Sequence, residues 1–92
     1  GLALELGPHN ITVNAIAPGA VEGDRIERVI AGQAQVLGRP VEAIRKSFTE
    51  QNALKRISKP EDVASLAAFL CSDRARNISG QCIAVTAGIP AV

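Results

Sequence analysis

The chain has 92 residues, with ten Lys plus Arg against nine Asp plus Glu, and a formal charge of +1. That length suits one small domain. A charge so close to zero gives no footprint for nucleic acid or an anionic membrane. Hydrophobic residues make up 47%, so the chain builds a core and is not a disordered segment. Tyr, Trp and Met are missing, and His9 is the only histidine, which argues against phenol chemistry and a His-rich metal site. Cys71 and Cys82, eleven apart in sequence, form no disulfide framework and no ligand spacing, and they fit a reducing compartment. No apolar run reaches the roughly 20 residues of a membrane span, and the start is not built like a signal peptide. These features read as soluble and cytoplasmic. A start at Gly1 without any Met suggests part of a longer chain, and removal of an initiator Met before Gly gives the same start.

Leu2, Leu4 and Leu6 followed by Gly7-Pro8 read as the tail of a helix with its stop signal. Ile11 to Ala17 is a short, nearly continuous apolar run rich in β-branched residues. It reads as a strand buried on both faces, as in a parallel sheet, turned out by Pro18-Gly19. Ile26, Val29, Ile30, Ala34 and Leu37 repeat at helical spacing, with Asp24 placed to cap and Gly38 to end the helix. Pro40 suits the first turn of a second amphipathic helix carrying Val41, Ile44 and Phe48. Ser58-Lys59-Pro60-Glu61 reads as a capping box, followed by a helix with Val63, Leu66, Ala67, Leu70 and Cys71 on one face. A polar loop from Ser72 to Gly80 leads to a second strand, Gln81 to Thr86, which leaves through the turn Ala87-Gly88-Ile89-Pro90.

The order is helix tail, strand, two helices, helix, strand. Its last part is a βαβ unit with a right-handed crossover expected. Two apolar strands need more cover than one helix supplies. The other face and at least one strand edge stay open, so the sheet calls for completion by further sequence or by partner chains.

Several stretches resemble the C-terminal third of a classical short-chain dehydrogenase/reductase. They are Leu2-Ala3-Leu4-Glu5-Leu6-Gly7-Pro8, Ile11 through Gly19, Ala53-Leu54-Lys55-Arg56 with Pro60-Glu61-Asp62-Val63-Ala64, Phe69 through Asp73, and Ile78-Ser79-Gly80-Gln81. The likeness runs through nearly the whole chain in order. It implies an α/β fold: the C-terminal part of a doubly wound, Rossmann-like parallel sheet, with residues 1–92 as one portion of a single domain. It also implies NAD or NADP as cofactor, and an alcohol or carbonyl as small-molecule substrate. In that family a Ser, a Tyr and a Lys carry the chemistry, and none of the three can be assigned here. The glycine fingerprint of the dinucleotide site is absent as well. The 92 residues alone are therefore expected to be inactive, with no catalytic and no metal-binding residue.

The resemblance instead implies a nicotinamide-edge loop at Pro18, Gly19, Val21 and Gly23. Its backbone would meet the carboxamide, with Gly19 leaving room for close approach. Gly23 stands where the family often has Thr, so that side-chain contact is lost and a backbone amide would replace it. Residues 23–52 match the substrate lid, where Ile26, Val29, Ile30 and Leu37 either roof the substrate or simply pack. The implied partners are the N-terminal part of the same enzyme and identical subunits, held through the last helix and strand. From local residues alone Pro18-Gly19 reads as a strand-ending turn, and the family resemblance turns that reading toward the cofactor edge. Asn14 reads as a satisfier of neighbouring backbone groups, His9 as a surface residue, Arg74 and Arg76 as a solvated turn, and the two cysteines as buried small hydrophobes. A different class of reading stays open, in which the chain is a truncated, non-catalytic association module.

Overall fold

The computed structural model describes residues 1–89. Helix α1 (Leu2–Leu6) leads through a 3-10 turn, Gly7–His9, to strand β1 (Ala15–Pro18). Helices α2 (Asp24–Leu37), α3 (Val41–Glu50) and α4 (Pro60–Leu70) follow, and then strand β2 (Cys82–Val85). The strands pair in parallel, with Ala15 opposite Cys82 and Pro18 opposite Val85. This is the expected βαβ order, and α4 lies against β1. Both strands are shorter than expected, because residues 11–14 run beside the Ile78–Gln81 loop and meet it through isolated bonds. One is Gly80 N–H to the Val13 carbonyl at 2.7 Å. Another is Val13 N–H to the Ser79 hydroxyl at 3.0 Å.

The helix ends differ in detail from their sequence signals. Gly7 is right-handed, and the left-handed residue after α1 is Asn10 at φ 60°. Ile11 N–H reaches back to the Leu6 carbonyl at 3.4 Å, and Asn10 N–H to Gly7 at 2.9 Å. This pair of bonds is a Schellman closure built on Asn, which tolerates that conformation. Pro8 cannot donate, so the chain tightens for one turn before it stops. At α2 the cap is Gly23 and not Asp24, which is already helical and makes no capping bond. Gly23 has φ 147° and nothing within 4 Å of its Cβ position, a conformation that belongs to glycine.

The capping box of α4 is shifted by one residue. Lys59 is the cap, Asp62 accepts Lys59 N–H at 2.8 Å, and Asp62 N–H donates to the Lys59 carbonyl at 2.9 Å. Ser58 cannot serve because it is buried and committed to the backbone after β1. Its N–H donates to Ala20 at 3.2 Å and its carbonyl accepts Glu22 N–H at 2.7 Å, which forms a parallel bridge with Val21.

The core lies between the two middle helices. Ile26, Ile30 and Ala34 of α2 bury against Ile44 of α3, with Ala20 and Phe48 packed around them. Ile30 and Ile44 are fully enclosed, and each contributes about 2–3 kcal/mol by leaving water. Elsewhere the apolar face of α4 at Val63, Leu66, Ala67 and Leu70 is only half-buried. The strands, expected to be buried on both faces, are largely exposed. Both cysteines, expected to be buried, are exposed too: Cys82 opens the outer strand and Cys71 ends α4, where these residues carry no covering layer. Ala75, which the sequence leaves in a polar loop, is buried in a 3-10 turn.

The shape records the same deficit. The radius of gyration is 16.9 Å, against about 12 Å for a compact chain of this length. The accessible surface is 6841 Å², against about 5,100 Å² for a globular monomer of this mass. Among the described residues no helix is long and apolar enough to cross a membrane. Pro90, the end of the expected final turn, lies outside the described residues.

Candidate functional site

Parallel strands bring their carboxyl ends to one side, and open α/β sheets bind ligands there. In this chain Pro18-Gly19 at the end of β1 and Thr86 at the end of β2 come together at that edge, roofed by the first turn of α2. They enclose a cleft of about 650 Å³. Pro18, Gly19, Val21 and Gly23, the four positions expected at a cofactor edge, all line it. Val29 of α2 and Phe48 of α3 supply apolar wall, and Glu22, Asp24 and Arg25 supply the charged part.

The backbone of this loop is partly committed. Gly19 N–H donates to the Val85 carbonyl at 2.9 Å, extending the β ladder by one residue. Pro18 has no N–H. Ala20 and Glu22 bond to Ser58 on either side of Val21. In a parallel bridge the flanking residues make the bonds, so the N–H and C=O of Val21 point to the opposite edge. Neither has a partner among the described residues. One free donor and one free acceptor on a single residue match the two polar atoms of a primary carboxamide. The pair fits a nicotinamide carboxamide, which Val21 would hold while Gly19 serves the sheet.

Gly19 has a second constraint. A Cβ built there lies 3.3 Å from Cα and Cβ of Thr86, so the close approach shown at Gly19 is to this chain's own second strand. The Thr86 hydroxyl in turn accepts Ile89 N–H at 2.9 Å and holds the loop that closes the cleft.

Sequence reading missed Asn52, Thr86 and Ile89 as cleft residues. Asn52 is buried, and its side chain accepts Arg56 N–H at 3.2 Å and donates to the Arg56 carbonyl at 2.9 Å. This loop is tied to the exit of β2 by Ala53 N–H to Gly88 at 3.0 Å and Leu54 N–H to Ala87 at 2.9 Å. Its only signal in sequence is Asn52 itself, since Asn side chains close backbone loops, whereas Ala53, Leu54, Lys55 and Arg56 that follow are good helix formers.

The lid stripe divides as its residues bury. Ile26 and Ile30 pack between α2 and α3, whereas Val29 and Leu37 stay exposed. Across the lid, Arg45 grips Glu27 with a two-pronged bond, Nη1 to Oε1 at 2.8 Å and Nη2 to Oε2 at 2.6 Å. That hydrogen bonding, helped by the charge of Arg45, holds the Glu27 carboxyl below its ordinary range. The same bond raises the Arg45 guanidinium. His9, Arg74 and Arg76 are exposed and away from the cleft. Asn14 bonds backbone on both sides, as expected. Among the described residues no cluster of His, Cys, Asp and Glu could hold a metal ion.

A βαβ unit with a cleft at its carboxyl edge, flanked by two amphipathic helices, is the arrangement found in open, Rossmann-like α/β sheets. Comparison with known proteins narrows it. Residues 1–90 match the family model described as Enoyl-(Acyl carrier protein) reductase. The (S)-acetoin-forming diacetyl reductase of Staphylococcus aureus is 39% identical over 87 residues, covering 95% of this chain and 34% of that protein. A short chain dehydrogenase family protein from Francisella tularensis superposes with a TM-score of 0.89 at 32% identity, covering 96% of this chain and 36% of its own. YwfH, an NADPH dependent reductase involved in bacilysin biosynthesis, superposes with a TM-score of 0.88 at 31% identity over 99% of this chain and 34% of its own. The chain belongs to the short-chain dehydrogenase/reductase family, and it spans about a third of the length of these relatives.

Proposed function

We propose that these residues form the nicotinamide edge and substrate lid of an NAD(P)-dependent oxidoreductase that interconverts an alcohol and a carbonyl. The observation that carries this reading is Val21, whose N–H and C=O have no partner among the described residues, beside Gly19 in a cleft at the carboxyl ends of two parallel strands. Relatives named as reductases, one of them NADPH dependent, support it. The cofactor, when bound, supplies or accepts hydride at its nicotinamide ring. Val21 fixes which ring face is presented, by holding the carboxamide in one orientation. Ser58 keeps Val21 in place through the bridge on its other side. Val29 and Phe48 limit water around the reacting carbonyl, and α2 with α3 closes over it. The chain contains no Tyr, so it brings no phenol to the cleft.

The test uses the intact protein that carries this segment. Binding of NADH and NADPH is followed by fluorescence, and oxidation of each by absorbance with a panel of small ketones and diketones. Binding of one cofactor with carbonyl-dependent oxidation is the expected result. Failure of both cofactors to bind overturns the reading.

The exposed apolar surface favours an additional role in association. The half-buried face of α4, the exposed Phe69 and the open strand faces suit packing against further sequence of the same enzyme or against an identical subunit. Comparing native with denatured mass tests this: a larger native mass is expected, and equal masses exclude self-association.

A further inference from the structure

The segment after α3 does more than lead into α4. Residues 52–58 bond to the exits of both strands. At one end, Ala53 N–H donates to the Gly88 carbonyl at 3.0 Å and Leu54 N–H to the Ala87 carbonyl at 2.9 Å, just past β2. At the other, the Ser58 carbonyl accepts Glu22 N–H at 2.7 Å and Ser58 N–H donates to Ala20 at 3.2 Å, on either side of Val21. One short strut therefore joins two walls of the cleft, that of Val21 and that of Thr86 and Ile89.

Asn52 braces the strut. It belongs to the cleft lining and is only 6% exposed. Its amide oxygen accepts Arg56 N–H at 3.2 Å, and its amide nitrogen donates to the Arg56 carbonyl at 2.9 Å. One side chain thus fixes both backbone groups of a residue that lies between the two anchor points. The junction also holds unfavourable backbone. Lys55 at φ 56° and Ala87 at φ 57° are left-handed without being glycine. Such residues persist only where the surroundings over-determine them. Lys55 is tied by its Nζ to the Glu50 carbonyl at 2.8 Å, at the end of α3, and the Ala87 carbonyl accepts Leu54 N–H. A connection serving only to link two helices would relax out of both conformations, whereas strain gathered beside a cleft marks a functional constraint.

We propose that Asn52 is a positioning residue for the reaction: by keeping the strut rigid it sets the distance between the Val21 edge, where the nicotinamide is held, and the Thr86–Ile89 wall, against which the carbonyl substrate lies. The proposal rests on the oxidoreductase reading above and deepens it. Asn52 touches no reacting atom in this role. It acts through Ser58 and Val21 on one side, and through Ala53 and the loop after β2 on the other. Transfer between two bound partners is steep in their separation, and misplacement by about 1 Å costs on the order of a hundredfold in rate. Binding of either partner alone is far less demanding. A brace of this kind shows in kcat before it shows in affinity.

The experiment uses the intact protein, the nicotinamide cofactor that it binds, and the ketone or diketone of the panel above that the wild type reduces fastest. All variants are assayed at a temperature where circular dichroism shows them folded. Asn52→Ala is expected to lower kcat about tenfold or more while the Kd of the cofactor stays within about threefold. Gly88→Ala displaces the strut at its tie to β2, because the new Cβ would lie 2.7 Å from the Ala53 Cβ. It is expected to repeat that pattern, with Ala53→Gly restoring part of kcat, and it carries the test if Asn52→Ala does not fold. Ala75→Gly loosens a buried turn away from the cleft and is expected to lower the melting temperature with kcat unchanged. Unchanged kcat in the strut variants overturns the positioning role and leaves the oxidoreductase reading standing. So does an equal loss of kcat in Ala75→Gly, which makes the effect one of stability. A cofactor Kd that rises as far as kcat falls overturns it in favour of a binding role. A wild type that binds neither cofactor and reduces no ketone removes the oxidoreductase reading, and the positioning role falls with it.

Discussion

Asn14 and Gln81 are joined across the entrance of the sheet: the Asn14 side-chain oxygen accepts Gln81 N–H at 3.1 Å. The nitrogen of the same amide donates to the Ile78 carbonyl at 3.0 Å. One side chain thereby spans the turn that delivers β2 to its place beside β1. The next residues, Ala15 and Cys82, are the first paired residues of the ladder, so Asn14 sets the register from outside it. Register matters at the far end, because it decides that Gly19 meets Val85 and Thr86 and that the cleft forms between them.

Replacing Asn14 by Ala removes both bonds, leaving the half-buried Ile78 carbonyl without its partner while the exposed Gln81 N–H turns to water. The expected loss is about 1–3 kcal/mol, read as a lower urea midpoint of the intact protein with unchanged slope. Asn14→Asp keeps the acceptor toward Gln81 but faces the Ile78 carbonyl with a carboxylate. It is expected to cost at least as much as Asn14→Ala at neutral pH, and to recover part of the loss in acid. Equal stability of all three proteins contradicts the role given to Asn14.

Asn14 also shows what was legible in the sequence. A polar residue in an apolar run announces a local hydrogen-bonding duty. Strand order, parallel pairing, the two lid helices and the gathering of Pro18, Gly19, Val21 and Gly23 follow from short apolar runs, helical spacing and the family resemblance. What escaped depends on contacts between distant segments. Ser58 carries a good local capping signal, but a strand bridge to Val21 claims it and Lys59-Asp62 takes over the cap. Asn52, Thr86 and Ile89 enter the cleft only because Ala53 and Leu54 bond to the loop after β2. The cysteines are exposed because burial of a strand is a property of its neighbours, and local apolarity does not reveal whether they are present.

The lid predicts an acid dependence. Arg45 lowers the Glu27 carboxyl from its ordinary value of 4.5, so folding favours the ionised form. The contribution of the pair is complete above that ordinary value and disappears as pH falls through the lowered one. Glu27→Gln is expected to lower the melting temperature of the protein at neutral pH. The gap from wild type is expected to narrow only as pH falls below the ordinary carboxylate range and to shrink in high salt. Because both groups lie at the surface, the effect is small. A gap that persists unchanged in acid contradicts the ion pair as its cause.

Two glycines are expected to resist substitution for different reasons. Gly23→Thr places a β-branched residue at φ 147° and is expected to cost about 1–3 kcal/mol of strain, although space is open around it. It tightens no cofactor contact unless the loop first rearranges. Gly88→Ala adds strain at φ 90° and a contact with Ala53 Cβ at 2.7 Å. Pairing it with Ala53→Gly is expected to recover the steric part alone. Denaturant titration of the four proteins separates the two contributions, and full recovery in the double variant contradicts the conformational one.

Gly19 tests the cofactor edge and needs its own control. Gly19→Val is expected to weaken NAD(P) binding about tenfold or more by filling the space beside the Pro18 turn. The Cβ of that valine also presses on Thr86 at 3.3 Å, so β1 and β2 part slightly and Val21 moves with them. Gly19→Ala, with the same Cβ and no branches, reports this packing effect alone. If the edge assignment holds, affinity falls much further for Val than for Ala, while the two cofactor-free proteins melt within a few degrees of each other. If both variants lose the same affinity and the same stability, Gly19 serves the strand junction only. Unchanged affinity in Gly19→Val removes this loop from the cofactor site.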